Sequence, residues 1–71
     1  MPIVRLEILE GRTAQRKAEL IRRVTAALVD TLEVRPEQVR VLIYELPAEH
    51  WAIGGKTVAE RREADANLGS T

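Results

Sequence analysis

The sequence predicts an α+β fold: a βαβ protomer with two parallel strands, one long helix and a C-terminal hairpin. Three observations predict it. Residues 3–9 and 39–46 alternate apolar and polar side chains, the period-2 pattern of half-covered strands. Residues 14–32 carry an apolar side chain at every third or fourth position, the period of an amphipathic helix. Beyond Pro47, the pair Gly54-Gly55 supplies the positive φ values that a tight hairpin needs. Two strands of similar length joined by one long helix form a parallel pair with a right-handed crossover.

Each element follows from its own residues. In the first strand Val4, Leu6 and Ile8 share one side, with Arg5 and Glu7 on the other, and Gly11 ends it. Thr13 is placed to cap a helix over 14–32, whose stripe reads Ala18, Ile21, Val24, Leu28 and Leu32. Its other face carries Arg16, Lys17, Glu19, Arg22 and Arg23, which read as a solvated surface with weak i,i+3 and i,i+4 pairs. Arg35-Pro36-Glu37 turns the chain, because proline cannot continue a helix. The second strand, 39–46, puts Val39, Val41 and Ile43 on the helix side and Arg40, Leu42, Tyr44 and Leu46 on the other. Residues 48–55 read as a loop entering the hairpin, and Thr57 as the cap of a short helical turn through Arg62. Residues 1–62 thus form one domain, and 63–71, lacking periodicity, are expected to be a flexible C-terminal tail.

Seventy-one residues leave room for one small core, and a chain this short usually needs disulfides, a metal or partner subunits. Cysteine is absent and His50 is the only histidine, so disulfides, thiol nucleophiles and a protein-only metal site are excluded as expectations, and no cofactor is indicated. Partner subunits remain. Both edges of a two-stranded sheet and the face bearing Leu42 and Tyr44 are open to association. Eleven basic residues cancel eleven acidic ones, which removes the positive field that most nucleic-acid binders use. The longest apolar runs fall far short of the ~20 residues that span a bilayer, and no secretory leader precedes Pro2. The expectation is a soluble, cytoplasmic protein without nucleic-acid or membrane partners.

Few residues are left to carry chemistry. Pro2 can simply start a strand; if Met1 is removed, it instead presents a secondary amine able to act as a base or to form an iminium. Arg12 precedes the helix cap, where a cation is slightly unfavourable, so it is either a plain surface residue or part of an anion-binding corner with the helix N–H groups. Arg40 lies on the uncovered side of strand two and needs an anionic partner, either an intersubunit carboxylate such as Glu7 or a ligand. Trp51, one of only two aromatics, fits an oligomer contact or a pocket wall. His50 reads as a solvent-facing loop residue. Seven strand residues span about 23 Å, so Pro2 and Arg12 of one chain cannot reach one small substrate. Pairing strand one antiparallel with a copy of itself about a two-fold axis brings Arg12 of one subunit near Pro2 of the other.

Taken in order, Pro2-Ile3 after Met1, Leu9-Glu10-Gly11-Arg12, Val39-Arg40-Val41 and Trp51-Ala52-Ile53-Gly54-Gly55 resemble the 4-oxalocrotonate tautomerase family, over residues 2 to about 62. The resemblance implies an antiparallel dimer with a four-stranded sheet and a hexamer built as a trimer of dimers, expected here as a homohexamer though the family has assemblies of one chain type and of two. It implies a tautomerase in which Pro2 shuttles a proton as general base and acid, acting on 2-hydroxymuconate-like 2-oxo acids or dicarboxylates. By resemblance Arg12 binds the distal carboxylate, Arg40 contacts the near carboxylate and its 2-oxo or 2-hydroxy oxygen, and Trp51 walls the pocket where phenylalanine is more usual. Tryptophan there also resembles family members of antibiotic pathways, so an enzyme acting on a substituted hydroxymuconate is an alternative. Retention of Met1 would leave a non-catalytic oligomeric module, since an acylated proline nitrogen is no base. Two arginines near Pro2 would also free its amine: one positive charge about 6 Å away, at an effective dielectric of about 20, costs the ammonium about 2.8 kcal/mol, or about two pKa units.

Overall fold

A computed structural model of the chain describes residues 1–69, with side chains to residue 66. The elements run β1 (Ile3–Leu9), α1 (Ala14–Leu32), a 3₁₀ turn (Pro36–Gln38), β2 (Arg40–Leu46), a second 3₁₀ turn (Ala48–His50), β3 (Ala52–Ile53), β4 (Lys56–Thr57) and α2 (Val58–Gly69). The architecture is the expected α+β arrangement, with β1 and β2 parallel. The Arg40 amide donates to the Pro2 carbonyl just before β1, and the Glu10 amide just after β1 donates to the Leu46 carbonyl, both at 3.0 Å. The two strands therefore start together and end together, as parallel strands must.

The chain divides into two compact units, Met1–Glu7 with Gly11–Tyr44, and Ile8–Glu10 with the residues from Glu45 onward. In the first unit α1 covers one side of the strands. Val4, Leu6, Val41 and Ile43 are half-buried, whereas Ile3, Arg5, Glu7, Arg40, Leu42 and Tyr44 are exposed, so the strand alternation read from the sequence is found over these residues, while Leu46, expected on the uncovered side, is half-buried. Thr13 caps α1, its Oγ1 accepting from the Arg16 amide at 3.1 Å. Thr13→Ala is expected to cost about 1 kcal/mol, seen as a lower urea midpoint with an unchanged slope. On the solvated face Glu19 accepts from both Arg22 and Arg23, and the Arg22 contact holds its carboxyl below the ordinary range.

The helix corrects one expectation. Of its predicted stripe only Val24 and Leu28 are half-buried, joined by Lys17, Glu19, Leu20, Thr25 and Val29, while Ala18, Ile21 and Leu32 are exposed. Leu20 lies to one side of the Val24–Leu28 pair and Thr25 and Val29 to the other, so the covered side is broader than the stripe read off the sequence. The helix ends with Glu33 in the left-handed region at φ 54, and the chain enters the Pro36–Gln38 turn that leads into β2. β2 begins at Arg40, one residue later than expected, because Val39 closes that turn through a bond from its amide to the Pro36 carbonyl.

In the second unit β3 and β4 pair Ala52 with Thr57 and Ile53 with Lys56, around Gly54 (φ 62) and Gly55 (φ 85). Two successive positive φ values make a type I′ turn, which matches the strand twist and excludes most side chains. Thr57 and Glu60 form a capping box: the Thr57 amide and hydroxyl donate to Glu60 Oε1, and the Glu60 amide donates to Thr57 Oγ1. The Thr57 amide, then its hydroxyl, hold the Glu60 carboxyl below its ordinary value. A lowered carboxyl stabilises the cap above the unfolded value and loses it as pH falls through the folded one, so this contribution is complete at neutral pH and disappears in acid. The short helical turn expected to stop at Arg62 is corrected to a helix reaching Gly69; the last two residues lie outside the described part. Ala64 and Ala66 are strong helix formers and no breaker precedes Gly69, but the charges at 60–63 and 65 leave no apolar side to betray the period.

No described residue is buried, and Ile3 (57% exposed), Leu42 (41%) and Tyr44 (50%) present an apolar face on the side of the sheet away from α1.

Candidate active site

The site is built from the ends of two parallel strands. Pro2 stands immediately before β1, half-buried, and its carbonyl is fixed by the Arg40 amide at 3.0 Å. Pro2 and Arg40 are therefore neighbours through their backbones, a consequence of parallel pairing that brings both strand starts to one end of the sheet. The Arg40 side chain leaves the exposed face and its Nη1 donates to the Glu37 carbonyl at 2.7 Å. That carbonyl belongs to the Pro36–Gln38 turn, itself held by the Arg35 amide donating to Gln38 Oε1 at 2.9 Å. One guanidinium nitrogen is thus anchored, while a guanidinium carries five N–H donors in a planar fork suited to a carboxylate or an enolate oxygen.

Arg12 lies at the other end of β1, exposed, between Gly11 at φ 126 and the cap Thr13. The seven residues of β1 separate it from Pro2 in its own chain. The structure thus brings Pro2 and Arg40 together and leaves Arg12 apart within one chain, as strand length requires.

In the second unit Trp51 is half-buried at the end of the Ala48–His50 turn and enters the hairpin with φ −116 and ψ 115. Its carbonyl accepts from the Val58 amide at 2.7 Å, which ties it to the first residue of α2. His50 is exposed at the end of the turn. Two supports escaped the sequence reading. The Glu37 carbonyl holds Arg40, and Arg61 Nη2 donates to the Ile53 carbonyl at 3.1 Å, bracing the hairpin from α2. The first has a signal in its i−3 spacing across a proline turn. The second, eight residues apart, has none. Among the described residues no three His, Cys, Asp or Glu side chains converge as a metal site, and no helix is long and apolar enough to cross a membrane.

A family model described as tautomerase enzyme matches residues 2–61. A 2-hydroxymuconate tautomerase of Pseudomonas sp. (strain CF600) is 47% identical over 62 residues, covering 87% of this chain and 98% of the relative. Among solved structures, a 4-oxalocrotonate tautomerase isozyme from Methylibium petroleiphilum superposes with a TM-score of 0.87 at 48% identity, covering 89% of this chain and 98% of that one. A heterohexamer 4-oxalocrotonate tautomerase from Chloroflexus aurantiacus J-10-fl gives 0.81 at 42% identity, with 84% and 97% covered.

Proposed function

Because the chain belongs to the tautomerase family, and is thereby an isomerase of the 4-oxalocrotonate tautomerase kind, we propose that it ketonises 2-hydroxymuconate-like dienols, or shifts their double bonds, with the amine of Pro2 as the proton shuttle. The observation that carries the proposal is the adjacency of Pro2 and Arg40, fixed by the 3.0 Å bond between their backbones. The amine takes the proton of the 2-hydroxyl, the electron pair moves through the conjugated chain, and the same proton returns to a carbon, so no co-reactant is consumed. Arg40 offers its free donors to the oxygen on which negative charge gathers, and that charge is greatest in the transition state. Arg12, contributed by a second copy across the β1 edge, holds the remote carboxylate. Trp51 walls the apolar part of the pocket, where a larger ring than phenylalanine alters the shape available to substrate.

The amine exists only after Met1 is removed, and Met1 is 76% exposed in the chain. Residues 1–62 are the catalytic domain in this reading, and 63–71 are an appendage to it. The working form is a cytoplasmic homohexamer, a trimer of dimers. Association with further copies is supported by the absence of buried residues among those described and by the open sheet edges.

Protein whose terminus is verified by mass spectrometry as Pro2 is expected to convert 2-hydroxymuconate, followed by the loss of its ultraviolet absorbance, and to scatter light as a hexamer at micromolar concentration. A monomeric protein, or one inactive with an intact Pro2 terminus, would contradict the reading. Conversion of a substituted hydroxymuconate with the parent compound left untouched would instead favour the secondary-metabolite alternative.

A further inference from the structure

Trp51 opens a hairpin that has little packing of its own. β3 and β4 pair two residues each, and Ala52, Ile53, Gly54, Gly55 and Lys56 are all exposed. A two-stranded hairpin this short is marginal in water, so its position is decided by whatever grips it. Within the second unit that grip comes from the first turn of α2. The Val58 amide donates to the Trp51 carbonyl at 2.7 Å, and Arg61 Nη2 donates to the Ile53 carbonyl at 3.1 Å. The segment 51–53 is thus held at both ends, once by backbone and once by a side chain.

A second observation places the guanidinium on the turn itself. A Cβ built at Gly54, whose φ is 62, would lie 3.9 Å from Arg61 Nη2, an ordinary contact distance. The guanidinium therefore rests over the tip of the hairpin as well as on its strand. Arg61 is in turn well supported. The Thr57–Glu60 capping box fixes where α2 begins, just ahead of it. The family match ends at residue 61, yet α2 runs on to Gly69, so Arg61 stands inside a helix of 12 residues and not at a fraying end.

We propose that Arg61 is a positioning residue for the active site and acts through Trp51: by tying the Ile53 carbonyl to α2, it holds the indole where it bounds the substrate. The proposal rests on the reading of Trp51 as a pocket wall. Arg61 itself touches neither substrate nor Pro2 in this account. Its loss loosens the wall, which weakens binding of ground state and transition state alike, so KM rises while kcat stays.

The test is a double-mutant cycle with 2-hydroxymuconate, on protein that begins at Pro2. Arg61→Met keeps the length of the side chain and its contact over Gly54 but removes every donor. It is expected to raise KM about fivefold, the order of one net hydrogen bond, with kcat unchanged. Trp51→Ala removes the wall outright and is expected to raise KM about tenfold or more. Adding Arg61→Met to Trp51→Ala should then change KM by less than about twofold, since a residue that acts through the indole has nothing left to act on. Trp51 is the only tryptophan, so its fluorescence reads the hold without reference to the reaction. Arg61→Met should lower its anisotropy and make it easier to quench with acrylamide. Unchanged fluorescence, or a parental KM in Arg61→Met beside a raised KM in Trp51→Ala, would overturn the proposal and leave the wall standing. A parental KM in Trp51→Ala would overturn the wall, and the proposal with it. Fully additive effects would show that Arg61 acts on the anionic substrate directly, which also overturns it.

Discussion

Pro2→Ala, in protein whose mature chain begins at residue 2, is expected to lower kcat for 2-hydroxymuconate by about 10²-fold or more, the usual contribution of a positioned general base. Alanine keeps an α-amine but loses the ring, and with it the secondary-amine basicity and the fixed direction of the nitrogen. It keeps the carbonyl that accepts from the Arg40 amide, so the sheet and the assembly are expected to persist, with scattering and circular dichroism unchanged. Steady-state kinetics on the ultraviolet assay decides the matter. A variant with parental turnover would show that the base lies elsewhere.

The arginines are expected to fail in different ways. Arg40 faces charge that grows as the proton leaves, so Arg40→Ala should act chiefly on kcat, by roughly 10²–10³, the loss seen when one donor to a developing oxyanion is removed. Arg12 holds a carboxylate remote from the reacting carbons, so Arg12→Ala should chiefly raise KM for a dicarboxylate and matter little for a monocarboxylate analogue. Either change removes a positive charge that disfavours the protonated amine, so the acidic limb of the kcat/KM profile should move to higher pH. Equal, modest KM effects with an unmoved limb would refute this division of labour.

Much of this was readable in the chain. The strand alternation at 3–9, the Thr13 cap, the end of α1 at Leu32 and the Gly54-Gly55 turn each follow from local chemistry, and each is found where the sequence placed it. The separation of Pro2 from Arg12 was equally legible, since it depends only on strand length. What escaped depends on neighbours distant in sequence. Ile21 and Leu20 are both apolar, and only the direction from which the sheet approaches α1 decides that Leu20 is the more covered of the two. The length of α2 escaped because charged residues at 60–63 and 65 erase any apolar period. The hold of Arg61 on the Ile53 carbonyl exists only once the hairpin has folded back toward α2.

The bond from the Arg40 amide to the Pro2 carbonyl has a consequence for the entropy of the proposed reaction. A lysine or glutamate acting as base must surrender its side-chain rotamers, up to about 2 kcal/mol, each time it is aligned with substrate. Proline has no freely rotating side chain, and its carbonyl is already tied into the sheet, which fixes the one remaining backbone torsion. The nitrogen therefore points where the strand points, before substrate arrives and after product leaves. Its alignment is established once, when the chain folds, and is not repeated at every turnover.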